Sequence, residues 1–315
     1  MVTKMKQIDC HTHSGVSTSW DEGDKYPSCC LITDLMERLV QHSFDGAIVF
    51  PLPSAQYAVD RSPVPCFVPY LRENKRLVNE AEQLRLPTLE LLPFAMFSLS
   101  YGMDEQLAWL REAAAANRIH GLKYYPDMDR IHVSELFTRG LPFLELMQQY
   151  DLPLTIHISE HAALRGGFSD PGVIVELAKQ FPWLRICIAH MGHFRRSVIA
   201  KVREEGIRNI FFDVSPLLHL CDVRTVNPSD LVLELPYREP ARVLDRVIDL
   251  LPDQILWGSD YPYTFTCNLN APNHNKDHMR FRLSDYVDTL HQIPPEKADR
   301  ICRCNPIRFL KGVQP

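Results

Sequence analysis

Eight short apolar stretches recur along the chain, and longer amphipathic segments lie between them. The stretches are nearly continuous in apolar residues, as expected for strands that are covered on both faces. Strands are therefore predicted over 6–13, 45–53, 89–99, 119–126, 152–159, 184–192, 209–216 and 254–262. Apolar residues at helical spacing predict helices over 32–43, 70–85, 104–117, 134–150, 171–181, 195–205, 240–251, 284–292 and 296–310.

Residues that are typical of helix ends occur at the boundaries of several predicted helices. Thr33 and Ser134 can each cap a helix, Asp170-Pro171 places proline in a first helical turn, and Gly206 can end a helix. Strand–helix repeats without a linker predict one domain over 1–315, a parallel (β/α)8 TIM barrel with an extra C-terminal helix. A doubly wound sheet is the alternative, but it usually has a Gly-rich first turn, which this sequence lacks.

Composition excludes several classes of function. The 315 residues, with 45% hydrophobic and 23% charged side chains, are typical of a globular protein. The net charge of -5 and the scattered Lys and Arg residues argue against nucleic acid as a partner. No stretch has the roughly 18 apolar residues of a membrane span, and the N-terminus leaves no room for a signal peptide. We therefore expect a cytoplasmic protein without a membrane partner, and its nine cysteines are expected to be reduced.

Polar side chains stand where the predicted strands end. Strand 1 contains Asp9-Cys10-His11-Thr12-His13, and because residues i and i+2 of a strand share a face, His11 and His13 can bind one cation. The ends of strands 4, 5, 6 and 8 carry Lys123, His157, His190 and Asp260. A TIM barrel brings its strand ends to one face, so we expect these side chains to meet in one site.

The same motifs resemble the amidohydrolase superfamily, and most closely its amidohydrolase-2 branch, the aminocarboxymuconate-semialdehyde-decarboxylase-like metal-dependent hydrolases. The resemblance follows the chain in order through Asp9-Cys10-His11-Thr12-His13, Gly121-Leu122-Lys123, Thr155-Ile156-His157, Ala189-His190-Met191-Gly192, Trp257-Gly258-Ser259-Asp260-Tyr261-Pro262 and Asn305-Pro306-Ile307-Arg308-Phe309-Leu310. It implies one divalent metal ion, Zn²⁺ or alternatively Mn²⁺, and a small-molecule substrate. A homodimer is expected only by analogy with related barrels.

At matching positions the resemblance implies that His11, His13 and His157 bind the metal and that Asp260 completes the site. Such a metal lowers the pKa of water towards about 7, so Asp260 would accept the water proton as general base. His190 would polarise the substrate or transfer protons, although two-metal relatives use this position as a ligand. A structural interpretation remains for two of these residues. His157 can be a buried histidine that is hydrogen-bonded to the backbone, and Asp260 can cap a turn.

Lys123 has two interpretations within the superfamily. In two-metal relatives a strand-4 lysine is carbamylated and bridges the ions. In the branch that this chain resembles, the lysine is unmodified. We expect a cationic Lys123 that faces an anionic group of the substrate, because a compact ammonium suits such a group.

Residues just beyond the strand ends extend the candidate site. Tyr125, Arg165 and His193 are candidates for substrate binding, because a basic loop at the barrel mouth can hold a carboxylate. A solvated loop is the alternative for Arg165 and His193. The segment 261–280, which contains Cys267, His274 and His278, is interpreted as a lid or partner-facing loop.

Two reactions fit this ligand set. The first, which we expect, is hydrolysis of an amide, lactone or ester-like carbonyl of a small substrate, itself able to carry a carboxylate, through metal-activated water. The second is non-oxidative decarboxylation of a carboxylated aromatic or muconate-type compound. A binding protein without catalytic activity is disfavoured, because the ligand set is intact.

Overall fold

The computed structural model describes residues 7–16, 29–52, 68–263 and 281–312. In this part of the chain, eight parallel strands form a curled sheet with helices between them, which confirms the predicted (β/α)8 TIM barrel. The barrel strands are Ile8–Val16 (β1), Gly46–Pro51 (β3), Glu90–Phe97 (β4), Gly121–Tyr124 (β5), Leu154–Ile156 (β6), Ile186–Ile188 (β7), Ile210–Asp213 (β8) and Ile255–Leu256 (β9). A short strand, Cys29–Cys30 (β2), pairs antiparallel with the end of β1.

Helices follow most of the barrel strands and cover the outside of the sheet. The α-helices of the described segments are Ile32–Gln41 (α1), Leu71–Gln83 (α2), Met103–Ala115 (α3), Pro126–Asp129 (α4), Leu141–Gln149 (α5), Glu160–Arg165 (α6), Pro171–Gln180 (α7), Arg196–Glu204 (α8), Leu217–Val226 (α9), Pro240–Leu250 (α10), Leu283–His291 (α11), Pro295–Asp299 (α12) and Asn305–Lys311 (α13). A 3-10 segment spans Val133–Phe137, a turn with positive φ from His190 onward spans Ala189–Phe194, and a π-helical turn, Arg300–Cys304, joins α12 to α13.

Seven of the nine predicted helices are confirmed to within a few residues, and the helix predicted over 296–310 is present as α12, the π-helical turn and α13. The helix predicted over 134–150 is divided into a 3-10 turn and α5, because Pro142 has no N–H and fits only in a first helical turn. Three helices were not predicted: α4, α6 and α9.

Two of the predicted helix caps are wrong, and two boundary signals are confirmed. Helix α1 begins after Leu31 without a side-chain cap, so Thr33 lies inside it, and Ser134 lies inside a 3-10 turn that His132 caps. Asp170 does cap α7, since its Oδ1 accepts a hydrogen bond from the Gly172 N–H at 2.8 Å. Gly206, with φ +64°, follows the end of α8.

Strand β1 and the segment after β9 close the barrel. The N–H of His13 donates to the carbonyl of Tyr261 at 2.6 Å, and the N–H of Asp260 donates to the carbonyl of His11 at 2.8 Å. The predicted strand 254–262 is therefore regular only over Ile255–Leu256 and continues as an irregular stretch along β1. This pairing places the side chain of Asp260 beside those of His11 and His13.

Aromatic side chains fill the barrel from its N-terminal end to the site. Phe309, on α13, packs against Phe211 and Phe94, with ring centroids 5.3 and 6.1 Å apart. Phe94 packs edge-on against Phe50, and the ring of Phe50 packs against His11 at 4.8 Å. The His11 ring thus packs against a stack of buried aromatic side chains, which limits its movement.

Six cysteines of the described segments are free thiols: Cys10, Cys30, Cys187, Cys221, Cys302 and Cys304. Within the same segments, every helix is too short or too polar to cross a bilayer.

We predict that Gly121→Ala destabilises the barrel. A Cβ at Gly121 would overlap the ring of Phe94, which is packed on both sides inside the barrel. The free energy of unfolding should fall by about 1–3 kcal/mol, as measured by urea denaturation. The control is Gly167→Ala, whose Cβ meets Ala162 at an ordinary 3.4 Å and should change stability by less than about 0.5 kcal/mol. Equal stability of the two variants would contradict this account of the core.

Candidate metal centre and substrate pocket

A cavity of about 300 Å³, here called the substrate pocket, lies at the carboxyl ends of the barrel strands. Most of the residues predicted from the strand ends line it: His13, Lys123, Tyr125, His157, His190, His193 and Asp260. His11 is fully buried beside His13, with ring centroids 5.2 Å apart. Arg165 is not brought into this pocket and lines a neighbouring cavity instead. The residues 264–280 of the predicted lid lie outside the described part of the chain.

His11 is oriented by Asp213, the last residue of β8. Its Nδ1 lies 3.0 Å from Oδ2 of Asp213. Burial alone would raise the pKa of Asp213, but His11 and its hydrogen bond hold that pKa well below the usual range. The carboxylate is therefore an acceptor, and the proton of the imidazole lies on Nδ1. Because burial lowers the pKa of His11 to about 4, the ring is neutral near pH 7 and its lone pair lies on Nε2.

Three ligand atoms converge beside this lone pair. Nε2 of His11 and Nε2 of His13 each lie 3.3 Å from Oδ1 of Asp260. Burial favours the neutral acid, but His11 and the hydrogen bond from His13 hold the pKa of Asp260 at about 2. His11 has no proton on Nε2 to donate, so a lone pair and a carboxylate oxygen face each other. A cation relieves this repulsion, and two imidazoles with one carboxylate are a donor set that fits a divalent metal ion.

Lys123 provides the positive charge closest to these atoms in the described structure. Its side chain is buried, with Nζ 3.3 Å from Nε2 of His11 and 4.3 Å from the ring centroid of Phe50. Burial lowers the pKa of Lys123 to about 8, while the carboxylates of Asp213 and Asp260 oppose that change. The amine is therefore mostly an ammonium at pH 7, and its position over an aromatic face favours the cationic form.

His157 and His190 form a hydrogen-bonded pair at the mouth of the barrel. Nδ1 of His190 lies 2.7 Å from the carbonyl oxygen of Ser215, so this nitrogen carries the proton. Nε2 of His190 lies 3.0 Å from Nδ1 of His157, so the two rings share a hydrogen bond and Nε2 of His157 is the ring nitrogen left for another partner. Burial lowers the pKa of His157 well below its usual value, so the ring is neutral. Its ligand atom is not among the described groups within 4.8 Å of one another, so its role as a ligand stays a prediction.

The backbone at the end of β7 has an unusual conformation. The five residues from His190 to Phe194 all have φ between 50° and 60°, in the left-handed region. This conformation costs about 1 kcal/mol or more for each non-glycine residue, so other contacts must hold it. Oδ1 of Asp213 accepts hydrogen bonds from the N–H groups of His190 and Ser215, both at 3.2 Å. One buried carboxylate thus fixes His11 and the turn that presents His190.

Sequence reasoning missed Asp213, although a signal for it was present. The seventh predicted strand, 209–216, contains an acidic residue after Phe211-Phe212, and the structure ends β8 at that residue, Asp213. His11, His190 and Asp213 also form a second group of close potential ligand atoms. Their hydrogen bonds already join them to one another, so this group acts as a support for the first one.

Two further residues reach the pocket from helices that were not predicted. Glu160 is the first residue of α6, and His219 lies in the first turn of α9. Glu160 directly follows the strand predicted over 152–159, whereas His219 stands at no predicted strand end and no motif marks it.

The comparisons with known proteins agree with this architecture. A profile of the amidohydrolase family matches residues 8–312, so the chain belongs to the amidohydrolase family, whose members are generally metal-dependent enzymes. A search of curated proteins finds no match.

Several solved structures share the fold. They include a dihydroorotase from Campylobacter jejuni (15% identity, 97% of this chain and 83% of that chain covered, TM-score 0.57). A 4-oxalomesaconate hydratase from Rhodopseudomonas palustris has 16% identity, with 96% and 95% covered and a TM-score of 0.60. An amidohydrolase from Burkholderia multivorans with bound zinc has 13% identity, with 97% and 99% covered and a TM-score of 0.60. At these identities the likeness shows the fold alone.

We predict that Asp213→Asn weakens metal binding. The substitution removes the charge that holds the Nδ1 proton of His11, so the Nε2 lone pair is no longer fixed towards the other ligands. The affinity for zinc should fall about 10–100-fold, as measured by competition with a chromophoric chelator. Asp104→Asn, at an exposed position in the first turn of α3, is the matched control and should bind zinc like the wild type. Unchanged affinity of Asp213→Asn would show that this carboxylate does not orient the ligand.

Proposed function

We propose that this protein is a metal-dependent hydrolase that acts on an amide, lactone or ester-like carbonyl of a small substrate. The convergence of His11, His13 and Asp260 on one point, beside a cavity of small-molecule size, is the observation that carries the proposal. Zn²⁺ is the proposed ion, since neutral imidazoles with one carboxylate suit it, and Mn²⁺ is the alternative.

The residues that would hold the ion are His11, His13 and Asp260, with His157 as a further ligand through Nε2. When bound there, a divalent ion supplies polarisation of the substrate carbonyl and a lower pKa for water. Burial keeps the pKa values of His11 and His13 below the usual range, so neither imidazole needs to lose a proton at neutral pH before binding.

Asp260 and His190 would handle the protons. Asp260 is ionised and lies at the wall of the pocket, so it can accept a proton from water as general base. The Nδ1 proton of His190 already faces the carbonyl of Ser215, and this contact would stabilise an imidazolium formed by protonation at Nε2. His190 can therefore receive a proton during the reaction and return it to the leaving group.

Lys123, Tyr125 and His193 would contact the substrate. The ammonium of Lys123 lies among the ligand atoms, where it can stabilise negative charge that develops on the substrate oxygen. The ring of Tyr125 lies 3.8 Å from that of His157 and forms a flat part of the wall. His193 is held by the carbonyl of Ile158, at 3.2 Å from its Nε2.

A substrate panel tests the reaction class. The zinc-loaded protein is incubated with lactones and amides while proton release is measured, and with hydroxybenzoates and muconate semialdehydes while CO₂ is measured. We expect proton release from a lactone or an amide, and its loss after EDTA treatment. Release of CO₂ without hydrolysis would instead establish a decarboxylase that uses the same ligands. Full hydrolytic activity without any bound ion would contradict the proposed metal dependence.

We predict opposite effects for two histidine variants on metal content. His11→Ala removes a ligand atom and should abolish stoichiometric zinc binding, as measured by plasma mass spectrometry. His190→Ala should retain zinc and lower kcat by about 10²–10⁴-fold, because it removes a proton-transfer group. Retained zinc in the first variant, or lost zinc in the second, would reverse the two assigned roles.

A further inference from the structure

A second cavity, of about 540 Å³, lies next to the substrate pocket and is here called the side cavity. Helix α9 lines both cavities, with Leu220 in the substrate pocket and Arg224 in the side cavity. Residues four apart share a helix face and are separated by about 6 Å along the axis. Glu160 lines both cavities as well, so the two are neighbours across one side chain.

Arg224 is a buried guanidinium whose hydrogen-bonding capacity is largely unused. The residue is 2% exposed, and its Nη2 donates to Oε1 of Glu160. Within the described structure, Nε and Nη1 are also buried and have no hydrogen-bond partner. A buried charged group with unsatisfied donors is costly, and a guanidinium offers five N–H donors in a rigid, planar arrangement. A carboxylate that takes the place of Glu160 on Nη2 would bring its second oxygen close to a neighbouring donor, as in the bidentate pairs that guanidinium groups form with carboxylates.

The charges around Arg224 favour an anionic ligand. Among the described residues that line the side cavity, Arg165 and Arg224 are basic and Glu160 is the one acidic side chain. The side chain of Glu160 is 42% exposed, whereas that of Arg224 is 1% exposed. Glu160 can therefore turn into solvent when another carboxylate takes its place, while the guanidinium stays fixed.

We propose that Arg224 anchors an anion subsite that binds a carboxylate of the substrate, with Arg165 and His161 at its rim. The inference rests on the proposed function and narrows its substrate class to amides, lactones or esters with a carboxylate remote from the reacting carbonyl. The carbonyl lies in the substrate pocket, and a short carbon chain passes Glu160 to reach Arg224. In the free enzyme Glu160 pairs with the guanidinium, and the ligand carboxylate replaces it.

Binding of glutarate to the metal-free protein tests this subsite without requiring any catalytic activity. Isothermal titration calorimetry at constant ionic strength compares glutarate with its neutral diamide, glutaramide. Removal of the metal excludes binding of the carboxylate to the ion. We expect glutarate to bind at least about tenfold more tightly than glutaramide, because hydrogen bonds to a charged donor are the stronger ones. Failure of the hydrolase assay with intact glutarate binding would overturn the proposed function but not the anion subsite.

Variants of Glu160, Arg165 and Arg224 locate the binding of glutarate. Glu160→Gln removes the competing carboxylate and should tighten glutarate binding about tenfold, whereas Arg165→Gln should weaken it severalfold. Arg224→Lys keeps the charge but loses the planar donors and should weaken binding about tenfold. Because a change at buried Arg224 can unfold the protein, the first two variants decide the result. Arg242→Gln, which alters a 61% exposed arginine paired with Glu239, is the control and should match the wild type.

Three results would overturn the anion subsite. The first is equal affinity for glutarate and glutaramide, and the second is an absence of glutarate binding in both the wild type and Glu160→Gln. The third is wild-type affinity in both Glu160→Gln and Arg165→Gln, which would place the glutarate elsewhere in the molecule.

Discussion

The hydrogen bond between Nδ1 of His11 and the carboxylate of Asp213 decides where the lone pair of His11 points. With the proton held on Nδ1, the Nε2 lone pair faces the oxygen of Asp260. A cation bound by both atoms would relieve the repulsion between them. The same carboxylate accepts the N–H of His190 and so holds the left-handed turn at the end of β7. A single buried charge thereby orients imidazoles from two strands that are far apart in sequence.

The closure of the barrel and the geometry of the site depend on the same contacts. Oδ1 of Asp9 accepts the N–H groups of His11 and Ser259, which joins the first strand to the last. Gly258 permits this approach, because a Cβ there would lie 2.7 Å from Cβ of His11. Burial raises the pKa of Asp9 to about 7, so even this supporting carboxyl is tuned by its surroundings. A change that loosens the seam between these strands would therefore also displace the ligand atoms.

Burial is also the main source of the electrostatic character of the pocket. It lowers the pKa values of His11, His13 and His157, so these imidazoles are neutral donors at physiological pH. The side cavity contains the basic side chains of Arg165 and Arg224, and Arg224 lies one turn of α9 beyond Leu220 of the substrate pocket. A substrate with a remote carboxylate would be held at both ends, and this restriction of its movement is itself a source of rate enhancement.

The sequence by itself determined the strand–helix alternation and the placement of His11, His13, His157, His190 and Asp260 at strand ends. Hydrophobic periodicity is a local property of the sequence, and the meeting of strand ends at one face is a general rule for parallel barrels. Both can therefore be predicted from a single sequence. Only the tertiary structure decided that Asp213 holds His11, that His157 pairs with His190, and that Arg165 lies outside the substrate pocket. It also decided the contact between Glu160 and Arg224, on two helices that the sequence pattern did not reveal. Such contacts join residues distant in the chain, and packing geometry, rather than residue type or spacing, selects which polar atoms meet.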